Sequence, residues 1–197
     1  MLRKIVYPKV EALLTRTAGL LHKRGFSPNQ LTLTGLALNF LAGWVYASGH
    51  LFLGALVVLV AALGDLLDGP LARMSGRVTK FGGFLDSTVD RYSDFFLFGG
   101  LAIHFAEQGE VGWLVMTLGI IMGSFVTSYA KARAENLIPA CNVGFLERAE
   151  RVILLALATL IAPLFNLLFW ILFVGTNATA IQRILFTQKA LSDSSTK

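Results

Sequence analysis

The sequence predicts an all-α integral membrane protein: six transmembrane helices preceded by an amphipathic helix lying in the membrane interface. Three observations predict this. Hydrophobic residues make up 55% of the 197 residues and charged ones 15%, with a mean hydropathy of +0.65; these values exclude disorder and argue against an ordinary soluble domain. Apolar runs near the ~20 residues that a bilayer requires recur along the chain. Cations gather at alternate connections between those runs, as the positive-inside rule describes.

The elements follow in order. Residues 1–24 place Leu2, Ile5, Val6, Val10, Leu13, Leu14, Leu20 and Leu21 on one helical stripe, with Arg3, Lys4, Lys9, Arg16, Lys23 and Arg24 mostly off it. That pattern describes an interfacial helix, and it lacks the continuous apolar core of a signal peptide. Ser27-Pro28 starts the first span, with serine as N-cap and proline at the first helical position; the span runs from about Asn29 to Ala47. The second covers about Leu51 to Leu71 and the third Phe81 to Phe105. The fourth covers Val111 to Ala130, followed by a loop over residues 136–146. The fifth, from about Glu147 to Ala162, stops at Pro163, and the sixth extends from about Leu164 to Phe186. Residues 25–190 then form one membrane domain between the interfacial helix and a polar tail, 191–197, with no internal repeat or second domain.

Charge sets the orientation. Arg73, Arg77 and Lys80 share one loop, and Lys131, Arg133, Arg148 and Arg151 flank another. The connections around Ser48-Gly49-His50, His104 to Gly112 and Pro163 contain no Lys or Arg. Both termini and the basic loops are therefore expected on the cytoplasmic side of a cell membrane. The net charge of +5 belongs to this topology and to anionic lipid rather than to a nucleic-acid module, because the cations are not clustered in a soluble unit. The single Cys141 excludes an internal disulfide and supplies no zinc set.

Chemistry concentrates between Asp65 and Asp94, where five of the chain's twelve acids lie in otherwise apolar sequence. Asp65, Asp68, Gly69, Ala72 and Arg73 share one helical face; Gly82, Asp86, Asp90 and Asp94 step by four along another. Met74 to Lys80 suits a turn. An antiparallel hairpin sets Asp68 level with Asp86 and Asp65 nearly level with Asp90, so four carboxylates face one small volume. Each would cost roughly 2.5–3.5 kcal/mol at mid-membrane on insertion scales. Divalent cations offset that cost, and hard oxygen ligands without His or Cys nearby point to Mg²⁺ or Mn²⁺. Asp94 continues the stripe one turn deeper and is expected to satisfy a buried polar neighbour. A cation channel or transporter is the alternative use of such a cluster.

The pattern Asp-x2-Asp-Gly-x2-Ala-Arg-x8-Gly-x3-Asp-x3-Asp, met by Asp65, Asp68, Gly69, Ala72, Arg73, Gly82, Asp86 and Asp90, resembles the signature of the CDP-alcohol phosphatidyltransferases. The resemblance implies transfer of a phosphatidyl group from CDP-diacylglycerol to an alcohol, with release of CMP. It implies a homodimer and a pair of metal ions held by Asp65, Asp68, Asp86 and Asp90. Asp90, the fourth motif aspartate, is then the general base, a role that also suits its depth on the carboxylate stripe. Asn29 and Thr32 in Pro28-Asn29-Gln30-Leu31-Thr32, with Gly69, Arg73, Thr79 and Gly82, are the positions expected to meet CDP-lipid; capping, turn formation and close helix packing are their structural alternatives.

Ser128 to Glu135 together with Glu147-Arg148-Ala149-Glu150-Arg151 is similar to the phosphatidylinositol-phosphate synthases of that family, as is Asp86-Ser87-Thr88-Val89-Asp90-Arg91. This similarity assigns Lys131, Arg133, Arg148, Arg151 and Arg183 to the phosphate of the acceptor. L-myo-inositol 1-phosphate is the favoured acceptor and sn-glycerol 3-phosphate the alternative. The structural alternative for these cations is the ordinary placement of basic residues at cytoplasmic helix ends.

Overall fold

The computed structural model describes residues 14–195. The expectation for the N-terminal interfacial helix falls partly on residues 1–13 and the polar tail partly on 196–197, outside the described residues. The fold is helical: α1 (14–23), α2 (Pro28–Ala47), α3 (Leu51–Met74), α4 (Lys80–Glu107), α5 (Val111–Ala134), α6 (Arg148–Leu160), a 3-10 turn (Ala162–Leu164) and α7 (Phe165–Ser195).

Local sequence accounts for the boundaries. At the start of α2 the Ser27 hydroxyl accepts from the Gln30 N–H at 3.3 Å, and the Gln30 side chain accepts from the Ser27 N–H at 2.9 Å. This reciprocal capping box satisfies donors that a helix start leaves unpaired. Thr79 caps α4 by accepting from the Gly82 N–H at 2.9 Å. The α2–α3 and α4–α5 turns pass through Gly49 and Gly109, at φ +82° and +72°, where a side chain would be strained.

The helices close into a ring. Helix α2 packs on α3 and α4, α4 on α5, α5 on α7, α7 on α6, and α6 back on α3. The hairpin expected from the sequence needs correction here: α3 and α4 have little direct contact, and α2 lies against both. Glycine explains how α2 approaches so closely. A Cβ at Gly43 would collide with the Phe96 carbonyl oxygen, and one at Gly100 with the Gly43 carbonyl oxygen. Small residues at crossings let backbones meet, as is usual in membrane bundles. The motif helices are thus splayed around α2, which leaves a groove between them.

The distribution of polarity is inverted relative to a soluble bundle. Phe40, Trp44, Phe52, Leu63, Met122, Trp170 and Ile181 face outward, while Asn39, Asp94, Ser124, Thr127, Arg151, Thr176 and Arg183 are buried. Among the described residues three helices are long and apolar enough to cross a membrane: Leu51–Met74, Val111–Ala134 and Ala162–Asp193. The interior has an apolar half around Tyr46, Leu97, Phe98, Phe105, Ile120, Leu155, Phe169 and Leu172. Tyr46 donates to or accepts from Thr159 at 2.9 Å, tying α2 to α6 across the ring. The polar half lies toward the α3–α4 and α5–α6 connections and contains the site.

Candidate active site

Two cavities adjoin in this polar half. The first, about 340 Å³, is the groove between α2, α3 and α4. Asn29, Thr32, Asp68, Gly69, Arg73, Thr79, Gly82 and Asp86 line it, so every residue assigned above to CDP-lipid reaches one space. Gly69 leaves its wall open, since a Cβ there would meet only Arg73 Nη1, at 3.6 Å, whereas a Cβ at Gly82 would crowd Thr79 Oγ1 at 3.1 Å. Asp68 and Asp86 both line the groove, one from each motif helix.

The second cavity, about 160 Å³, is lined by Asp90, Arg91, Asp94, Thr127, Ser128, Lys131, Glu147, Arg148, Arg151 and Arg183. It is basic on the α5–α6–α7 side and acidic on the α4 side. Arg183 is fixed on three sides: Nε donates to the Val143 carbonyl at 2.8 Å, Nη1 to the Thr127 carbonyl at 2.9 Å and Nη2 to Glu147 Oε1 at 3.1 Å. Lys131 stands 3.9 Å from the same Glu147 oxygen. Arg151 is buried, donating Nη2 to Asp94 Oδ2 at 2.7 Å and Nη1 to the Leu146 carbonyl at 3.1 Å. Asp94 Oδ2 also accepts a short hydrogen bond from Ser124.

Arg148 lines the second cavity and reaches two of the motif acids. Its Nη1 lies 2.8 Å from Asp65 Oδ2 and 2.8 Å from Asp90 Oδ1. Its Nε is 3.6 Å from Asp94 Oδ1 and has no hydrogen-bond partner. The motif carboxylates therefore divide into Asp68 and Asp86, which line the groove, and Asp65 and Asp90, which are bridged by one guanidinium. The donor chemistry suits a hard divalent cation, since it is oxygen only and already attracts a cationic group. Among the described residues no group of three or more His, Cys, Asp or Glu side chains is arranged to hold a metal ion, and Arg148 stands between two of the acids.

Arg133 is the one expected cation that the structure leaves out of the basic cavity; it is exposed. Two residues beyond Lys131, its side chain leaves the helix roughly 200° further round. Sequence reasoning missed Gly35, Ser124 and Thr127. A Cβ at Gly35 would lie 2.6 Å from Asp65 Oδ1, so α2 makes room for the first motif acid. Ser124, Thr127, Ser128 and Lys131 recur at helical spacing in an apolar span, and that spacing is the signal that would have found the first two.

Carboxylates that attract a cation, set against a cationic cavity, define a site built for phosphate esters. Residues 26–182 match the model of the CDP-alcohol phosphatidyltransferase family, and the chain belongs to that family. It is similar to the archaetidylinositol phosphate synthase of Pyrococcus horikoshii, 39% identical over 97% of this chain and 98% of that one. It also resembles the phosphatidylinositol phosphate synthase of Streptomyces avermitilis, 35% identical over 96% of this chain and 83% of the other. The crystal structure of phosphatidylinositol phosphate synthase from Mycobacterium tuberculosis with CDP-DAG bound superposes with a TM-score of 0.82. That chain is 33% identical, with 89% of this chain and 94% of that one covered. The same enzyme in complex with manganese and citrate gives a TM-score of 0.80 at 32% identity, covering 89% of this chain and 88% of that one.

Proposed function

We propose that this protein transfers the phosphatidyl group of CDP-diacylglycerol to the hydroxyl of a phosphorylated polyol, L-myo-inositol 1-phosphate, and releases CMP. The observation that carries this reading is Arg148, which lines the basic cavity and pairs with Asp65 and Asp90 of the same motif whose Asp68 and Asp86 line the groove. The groove takes the nucleotide end of CDP-diacylglycerol, with Asn29, Thr32, Gly69, Arg73, Thr79 and Gly82 around it. The basic cavity takes the acceptor, with Lys131, Arg148, Arg151 and Arg183 about its phosphate. Arg133 is left to topology.

Asp65, Asp68, Asp86 and Asp90 would hold a pair of Mg²⁺ or Mn²⁺ ions. Such ions neutralise pyrophosphate charge and stabilise the leaving phosphate. The chain's own groups do the rest. Asp90, at the mouth of the acceptor cavity, takes the proton of the attacking hydroxyl. The oxygen attacks the β-phosphorus, which bears the diacylglycerol; the bond to CMP breaks and CMP departs with the electron pair. Arg183, locked by Val143, Thr127 and Glu147, orients the acceptor phosphate without having to be ordered at each turnover.

We read α2 to α7 as six spans in a domain covering residues 25–190. The basic helix ends are cytoplasmic, α1 lies in the interface, and two chains pair as a homodimer. Helix α6 is the shortest, since 13 residues rise about 20 Å. The loop before it, buried at Cys141 and Leu146, carries the chain through the remaining depth.

The test is CMP release by the purified protein from CDP-diacylglycerol, with and without Mg²⁺ or Mn²⁺, against inositol 1-phosphate, sn-glycerol 3-phosphate and unphosphorylated inositol. Release is expected with metal and inositol 1-phosphate. Preference for glycerol 3-phosphate would reassign the acceptor. Absence of CMP with every acceptor would overturn the enzyme reading in favour of ion passage.

A further inference from the structure

We propose that Arg148 couples metal binding to acceptor binding by exchanging between two berths, and this inference rests on the function proposed above. In the structure one guanidinium nitrogen serves both Asp65 and Asp90, each at 2.8 Å. Those two acids sit on different helices, α3 and α4, which barely touch. Arg148 therefore supplies the positive charge that lets two carboxylates approach in an apolar bundle, as a divalent cation would between the same oxygens. Both cannot occupy that position.

A second berth is already built. Asp94 Oδ2 is saturated by Arg151 and Ser124, but its Oδ1 has no hydrogen-bond partner. The Asp94 side chain is 5% exposed, so this is a deeply buried carboxylate oxygen left unsatisfied, a costly condition. Arg148 Nε, itself unpartnered, lies 3.6 Å from it. A displacement of under about 1 Å brings the two to the 2.7–2.9 Å of a charge-assisted hydrogen bond. Arg148 displaced from Asp65 and Asp90 thus settles on Asp94 through Nε, and its two Nη groups turn into the basic cavity beside Lys131, Arg151 and Arg183. The acceptor phosphate then meets a complete set of cations only after the acids have taken metal. Before that, Arg148 is spent on Asp65 and Asp90, and the acceptor pocket is one cation short.

The test reads binding rather than turnover. Mn²⁺ affinity of the full-length protein in detergent is measured by electron paramagnetic resonance, with and without inorganic phosphate, for wild type, Arg148→Gln, Arg148→Lys and Arg91→Gln. Wild type is expected to bind Mn²⁺ more tightly in phosphate, and phosphate more tightly in Mn²⁺, by the same factor. Arg148→Gln should bind Mn²⁺ about tenfold more tightly without phosphate, the scale of one charge-assisted hydrogen bond, and should lose the mutual enhancement. Arg148→Lys, which keeps the charge but not the fork, should fall between, and it stands in if the glutamine variant does not fold. Arg91→Gln is the electrostatic control: Arg91 lies 3.7 Å from Asp90 but is held by its own helix at the Ser87 carbonyl, so its loss should leave the coupling intact. Enhancement that survives Arg148→Gln would show direct metal–phosphate contact and overturn the proposal. Unchanged or weaker Mn²⁺ binding in that variant would overturn it equally. A protein that shows this coupling but releases no CMP fails the functional reading and leaves the coupling standing.

Discussion

Replacing Asp94 by alanine isolates the electrostatic knot at the centre of the bundle. Asp94 joins three helices: it sits on α4, accepts from Ser124 on α5 and pairs with Arg151 on α6 at 2.7 Å. The two charged side chains are 5% and 3% exposed. Removing one partner of such a pair strands the other charge in the interior, at a cost of about 3–5 kcal/mol. Arg151 would retain only the Leu146 carbonyl. The reverse deletion is milder: with Arg151→Ala, Asp94 still has Ser124, and the Arg148 Nε only 3.6 Å away. Asp94→Ala should therefore destabilise more than Arg151→Ala by at least about one charge-assisted hydrogen bond, roughly 1.5–3 kcal/mol. The double variant Asp94→Leu/Arg151→Met should cost less than the sum of the single changes, since it strands no charge. Reversible denaturant unfolding in mixed micelles measures all of these. Equal losses for the two alanine variants, or a double variant as unstable as the sum, would refute the reasoning.

Three further outcomes follow from the geometry. Gly100→Ala should destabilise by about 1–3 kcal/mol through overpacking, because its Cβ meets the Gly43 backbone; unfolding measurements check this. Gly35→Ala should leave stability nearly intact yet weaken Mn²⁺ binding, because its Cβ meets the movable tip of Asp65 at 2.6 Å; Mn²⁺ titration separates it from Gly100→Ala. Asp90→Asn should keep CDP-diacylglycerol binding but lose at least the ~10²-fold in kcat expected for a general base, and a near-normal kcat would move the base elsewhere.

Much of this architecture is legible in the sequence because its signals are local. The Ser27-Pro28 start, the Gly49 and Gly109 turns and the Thr79 cap each act over a few residues, and the expected starts of the spans agree with the helices closely; the ends do not all agree, since the last helix continues past the expected Phe186 to Ser195, through most of the stretch expected as a polar tail. The motif acids are legible for the same reason: steps of three and four fix a helical face. Which neighbour that face meets is not local. Periodicity placed Asp68 opposite Asp86, and the two do line one groove; it also packed α3 against α4, where glycine contacts instead bring α2 between them. Arg148 was legible as a cation near the site, whereas its bond to Asp65, 83 positions away in sequence, depends on α6 closing the ring against α3. Arg133 illustrates the opposite limit: cations two residues apart look like one cluster in sequence and point apart on a helix.

The ring itself explains why the two kinds of charge can coexist in an apolar bundle. Separate acidic and basic cavities would each carry uncompensated charge in a low-dielectric interior. Placed side by side with Arg148 and Asp94 at their border, each neutralises part of the other. Arg148 answers Asp65 and Asp90; Asp94 answers Arg151 and faces Arg148. Glu147 does the same at the far edge for Arg183 and Lys131. Compensation of this kind leaves each charge bound by a partner that a more strongly charged ligand can replace. A divalent cation outcompetes a guanidinium for carboxylates, and a phosphate dianion outcompetes a carboxylate for a guanidinium. On the proposed reading, the contacts that compensate these charges are the ones the metal and the acceptor phosphate would exchange, so that binding one would release the group that receives the next.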